Sequence, residues 1–110
     1  MEVKLSKEKA LCIMEVSGRM DAVTAPDFQR EMEERLEAGE RCFLIDLGLL
    51  EYISSAGLRS MLFLAKKLKP MEGTVVLCGL GGVVKEVFDI SGFSTIFTIC
   101  TDRAEALTKL

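Results

Sequence analysis

Apolar residues change their spacing several times along the chain, and each change marks an element. Val3 and Leu5 alternate with Glu2, Lys4 and Ser6, the period-two pattern of a half-buried strand. The charged Lys7, Glu8 and Lys9 then predict a turn. Residues 10–17 (ALCIMEVS) read as a second strand that ends at Gly18, so a hairpin is the economical connection. Helix-start signals follow: Thr24 as cap, Pro26 in the first turn where no N–H is needed, and Asp27 near the positive end of the helix dipole. Phe28, Met32 and Leu36 give this helix its buried stripe, and Gly39 closes it. Its other face carries Glu31, Glu33, Glu34, Glu37 and Glu40, relieved by Arg30, Arg35 and Arg41. That face could steer a basic partner, but a solvated surface with a supporting Glu31–Arg35 pair is the simpler account.

The centre of the chain follows. Residues 42–47 (CFLIDL) form an apolar run of strand length with one charge, Asp46, as expected for a strand covered on both faces. Leu58, Met61, Leu62, Ala65 and Leu68 then recur at helical spacing, with Arg59, Lys66, Lys67 and Lys69 on much of the opposite face, until Pro70 stops the helix. Residues 74–80 (TVVLCGL) predict another buried strand. Val83, Val84, Val87, Phe88 and Ile90 pack a short helix ended by Gly92, and residues 95–100 (TIFTIC) form the last strand. Asp102 and Glu105 have capping-box spacing for a terminal helix. The order ββαβαβαβα predicts one α/β domain over residues 1–110: a mostly parallel five-stranded sheet, an antiparallel N-terminal strand and about four helices.

Composition narrows the function. With 49% hydrophobic and 28% charged residues, the chain of 110 residues fits one folded domain. A net charge of −3 gives no basic stripe for direct nucleic-acid binding. No apolar run approaches a membrane span, and charges at Glu2, Lys4, Lys7, Glu8 and Lys9 leave no signal-peptide core, so a cytoplasmic protein without membrane insertion is expected. Cys12, Cys42, Cys78 and Cys100 each fall in an apolar run, predicting buried, reduced thiols rather than a metal site.

Ser54, Ser55, Ala56 and Gly57 join the central strand to its helix. One serine suffices to cap the helix N-terminus, and the second hydroxyl has small neighbours over which another protein could approach. Enzymatic chemistry has little to work with. There is no histidine for a Ser-His-Asp relay and no Gly-x-Ser-x-Gly elbow, although a Ser-Lys dyad is formally open. The Gly79-Leu80-Gly81-Gly82 turn lacks the third glycine of a dinucleotide fingerprint, since Val84 stands there, and the lysine of a P-loop. No cofactor is expected. A modification switch needs only an accessible hydroxyl, small neighbours and a rigid helix.

Tyr52-Ile53-Ser54-Ser55-Ala56-Gly57-Leu58, with Asp46-Leu47 before it, resembles the signature of bacterial anti-sigma factor antagonists, the stand-alone STAS domains. Gly18-Arg19-Met20-Asp21 resembles the family's turn before its first helix, and Ile90-Ser91-Gly92-Phe93 with Phe97 the segment leading to its last strand. The resemblance implies that Ser55, two residues before the glycine, is the phosphoacceptor. Several members have Asp before that serine; here Ser54 stands there and is a rival acceptor. The resemblance also implies a non-enzymatic protein whose unphosphorylated form binds an anti-sigma factor that is itself an ATP-dependent serine kinase, freeing a sigma factor. Phosphorylation would end the binding and a phosphatase would restore it. Asp21, Ser54, Ser55, Ala56, Gly57, Leu58 and Arg59 form the expected contact face. The alternative is a cytoplasmic STAS accessory subunit of a membrane transporter.

Overall fold

The computed structural model describes all 110 residues, Met1–Leu110. Two strands, β1 (Glu2–Glu8) and β2 (Leu11–Met20), form an antiparallel hairpin. Helix α1 (Ala25–Glu37), strand β3 (Cys42–Ile53), helix α2 (Ser55–Leu68), strand β4 (Thr74–Cys78), helix α3 (Gly82–Ser91), strand β5 (Thr98–Cys100) and helix α4 (Arg103–Leu107) follow. The sheet order is β1-β2-β3-β4-β5, and every pair after the first is parallel. This is the architecture expected from the order of elements.

Period-two alternation divides the strands between two cores. Cys12, Met14 and Val16 of β2 and Phe43, Ile45 and Leu47 of β3 join the larger core with Phe28, Met32 and Leu36 of α1, Met61, Leu64 and Leu68 of α2, and Val84 and Phe88 of α3. Leu11, Ile13, Leu44, Val76, Cys78 and Cys100 face the other way, into a smaller core closed by Ala106 of α4. The central strand is therefore buried on both faces, which accounts for its unbroken apolar run. All four cysteines are free, and only Cys42 is partly exposed. Burial pushes the Cys12 thiol up to about 11 and the Cys78 thiol up to about 12, with Glu40 and Asp46 respectively adding to the effect.

Several boundaries differ from the expected ones. Strand β2 does not stop at Gly18 but runs through it at φ +85°, with a register slip against β3 at that point. Strand β3 continues six residues beyond Leu47, because the end of β2 supplies its ladder: Gly18 pairs with Leu50, Arg19 with Tyr52 and Met20 with Ile53. Leu5 of edge strand β1 is exposed rather than half-buried. In α2, Leu64 rather than Leu62 is buried.

The C-terminal third shows two further corrections. Val83 and Ile90 are exposed, at 53% and 87%, because only the arc of Val84 and Phe88 can face the sheet. The last strand is three residues long, not six. Phe93 and Phe97 both stack edgewise on Phe88, at ring separations of 6.1 and 6.3 Å, and this cluster lies over a 3₁₀ turn, Phe93–Thr95, that takes Thr95 out of the expected strand, which starts only at Thr98. On α1 the ion pair is Arg30–Asp27 rather than Glu31–Arg35.

Candidate functional site

The extension of β3 brings the turn before α2 against the turn before α1. Ser54 is fixed by its backbone and its side chain alike. Its N–H donates to the Met20 carbonyl at 2.8 Å, its carbonyl accepts from the Leu58 N–H at 2.9 Å, and its Oγ accepts from the Gly57 N–H at 3.3 Å. With φ −93° and ψ 175°, Ser54 is the extended N-cap of α2.

Ser55 is the first helical residue, exposed, and its hydroxyl makes no hydrogen bond to the protein. Ala56 is half-buried and Arg59 exposed, with no carboxylate partner.

Two residues expected on the contact face lie inside instead. Leu58 is 7% exposed and belongs to the main core. Gly57 is buried because α2 presses onto the strand ends there: a Cβ at that position would lie 2.7 Å from Ile53 Cγ1 and 3.0 Å from Met20 Cγ. These two residues shape the turn and do not present it. The surface that remains is made of Asp21, Ser54, Ser55, Ala56 and Arg59.

Asp21 follows Met20 and so stands beside Ser54. Its Oδ1 accepts from the N–H groups of Val23 and Thr24, both at 3.0 Å. Thr24, the expected cap of α1, makes no cap bond; its Oγ1 accepts from the Asp21 N–H and donates to the Arg19 carbonyl, each at 2.9 Å. Asp21 thus organises the turn. The Thr24 backbone N–H, with the Val23 N–H behind it, holds the Asp21 carboxyl below its ordinary value of 3.8.

A carboxyl whose folded-state value is depressed stabilises the fold above the unfolded value and loses that contribution as the pH falls through the lower folded value. Asp21→Asn, which keeps the turn but cannot titrate, should therefore be less stable than the parent at neutral pH. The difference should shrink below about pH 4. Urea denaturation across that range checks this, and a difference independent of pH would contradict it.

Beside the turn, Ala22, Ala25 and Pro26 of the α1 side and Ala56, Arg59 and Phe63 of α2 line an open groove of about 630 Å³. Its floor is small and apolar near the turn. The Gly79–Gly82 loop lies elsewhere and has a packing reason for its first glycine: a Cβ at Gly79 would come within 2.8 Å of the Gly48 backbone nitrogen.

Two arrangements near these elements were not evident from the sequence. Asp46, which opens the signature stretch, does not reach the turn. Its Oδ1 accepts from the Gly48 N–H at 2.9 Å and its Oδ2 from Arg103 Nε at 2.6 Å, while Arg103 also pairs with Glu15 at 2.7 Å. The one charge in the apolar run of residues 42–47 signals that a partner must exist, but nothing in the spacing identifies a residue 57 positions away. Likewise Arg19 lies over the Tyr52 ring at 4.3 Å, brought there by the late pairing of β2 with β3.

Comparison with known proteins places these features in a family. The STAS domain family model matches residues 2–106. A Bordetella bronchiseptica protein provisionally named anti-sigma factor antagonist BtrV is 40% identical over 106 residues, covering 96% of this chain and 91% of its own. The anti-sigma-B factor antagonist of Listeria monocytogenes is 32% identical over 84 residues, covering 76% of this chain and 74% of its own. Among solved structures, an anti-sigma factor antagonist from Mycobacterium paratuberculosis superposes with a TM-score of 0.89 at 22% identity, over 98% of this chain and 92% of that one.

Proposed function

This chain belongs to the STAS domain family, and from that membership we propose that it is an anti-sigma factor antagonist switched by phosphorylation of Ser55. In this reading it is a binding module and not an enzyme. The unmodified turn before α2 docks on an anti-sigma factor that is also a serine kinase, and a sigma factor is released. A phosphatase acting on phosphoserine returns the modified form to the pool. ATP belongs to the partner, and the site of action is the cytoplasm; no helix of this chain is long and apolar enough to cross a membrane.

One observation carries the choice of residue. The two hydroxyls have different jobs: Ser54 Oγ is spent on the Gly57 N–H, whereas Ser55 Oγ is unbonded and exposed. A phosphate on Ser55 adds about −1.5 to −2 charges at neutral pH. The free N–H groups and dipole of the 14-residue α2 can bear that charge, so the domain need not unfold. A partner pressed against the turn must desolvate the dianion, which weakens the complex by several kcal/mol in order of magnitude. The effect falls on binding.

Phosphate incorporation by the cognate kinase into two alanine variants tests the assignment. Ser54→Ala should lose about 1 kcal/mol of stability through the lost cap and still be labelled. Ser55→Ala should fold as the parent does, bind the partner and take up no phosphate. Full labelling of Ser55→Ala with none in Ser54→Ala would reverse the two roles.

A further inference from the structure

We propose that Arg59 captures the phosphate of a modified Ser55 and is thereby withdrawn from the partner. The proposal rests on the reading above that Ser55 is the modified residue. Ser55 and Arg59 are four apart on α2, one above the other on the same face, with the acidic group N-terminal to the base, the more favourable order for an intrahelical pair. Long side chains on a helix lean toward its N-terminus, which puts the turn that carries Ser55 within reach of the Arg59 guanidinium.

The charges around the turn single Arg59 out. Asp21, across from Ser54, is already bound to the N–H groups of Val23 and Thr24 and is a repulsive neighbour for a phosphate. Arg19 lies over Tyr52. On the α1 wall of the groove, Arg30 is held by Asp27 at 2.5 Å, and Glu33 is a second acid. Arg59 lines the same groove with no ion pair or hydrogen bond from its guanidinium, which leaves it as the available cation. In the unmodified domain it is an open fork for a carboxylate on a docking protein. Once Ser55 is phosphorylated, the same fork closes on an intramolecular acceptor with more oxygens and more charge. Phosphorylation then acts twice on the complex: it adds a dianion to the interface and takes away a donor.

The test needs no kinase. Phosphoserine incorporated at position 55 during translation gives homogeneous modified protein in the parent, Arg59→Gln and Arg59→Lys backgrounds, and ³¹P NMR follows the second ionisation of the phosphate. An adjacent guanidinium favours the dianion, so the midpoint in the parent should lie about 0.2–0.4 of a pH unit below that in Arg59→Gln. Arg59→Lys, which keeps the charge, should retain part of the shift. Unmodified Arg59→Gln should denature in urea with the unmodified parent. Coincident midpoints in the parent and Arg59→Gln would overturn the proposal, and so would a shift lost as completely in Arg59→Lys. Failure of the kinase to label Ser55 is a separate result: it removes the modification reading without moving these midpoints.

Discussion

Replacing Phe88 with alanine should cost about 3–5 kcal/mol, a large share of the stability of a domain this size. Phe88 has no exposed surface and is the only aromatic side chain that stacks edgewise on both Phe93 and Phe97. Its removal leaves a cavity where the end of α3, the 3₁₀ turn and β5 meet, and the neighbouring rings cannot collapse into it without losing their own contacts. The melting temperature should fall by roughly 12 °C or more. Ile90, two residues on and 87% exposed, is the control: Ile90→Ser should stay within about 0.5 kcal/mol of the parent. Urea denaturation of the two variants checks both numbers. Equal losses would mean that the face of α3 turned to the sheet has been misassigned.

Gly57→Val should lose about 1–3 kcal/mol and, unlike Phe88→Ala, should also disturb the proposed switch. The Cβ would meet Ile53 Cγ1 at 2.7 Å and the Met20 side chain at 3.0 Å, and both neighbours are buried, at 2% and 0% exposure, so neither can swing into solvent. Relief requires the first turn of α2 to lift off the ends of β2 and β3. That motion strains the Ser54–Met20 backbone bond and displaces Ser55 and Arg59 together. Gly57→Ala should be milder, because the gain of about 1 kcal/mol in helix propensity opposes the clash. Stability and the rate of phosphate incorporation, measured side by side, decide the matter. A valine variant as stable as the parent and labelled at the same rate would show that the close approach at Gly57 is not a constraint on the turn.

Much of this architecture was legible because local patterns and tertiary environment agree. The α1 stripe of Phe28, Met32 and Leu36 is buried as its spacing requires, and Ser54 caps α2 as its place before a helical stripe suggests. The misses in β3 and α3 share one cause: they depend on what a distant segment supplies, whereas the Arg30–Asp27 pair on α1 is a local choice between neighbouring charges. The length of β3 was unreadable since Gly48 to Glu51 lack a strand pattern; only the late pairing with β2 makes them one. In α3 the residues Val83, Val84, Val87, Phe88 and Ile90 occupy two helical arcs, and periodicity alone does not choose the one that faces the sheet. For the site, hydroxyls next to small residues located the turn, but sequence could not show that Gly57 and Leu58 lie beneath the surface that Ser55 and Arg59 present.

The claim at the centre of this account is that charge added to Ser55 ends the binding of the anti-sigma factor without unfolding the domain. The most direct measurement is the affinity of that partner, by titration calorimetry, for the unmodified domain and for the domain carrying phosphoserine at position 55, with circular dichroism recorded on both. Matching spectra are expected, with an affinity for the phosphorylated domain at least about 100-fold weaker. Equal affinity for the two forms, with both folded, would contradict it.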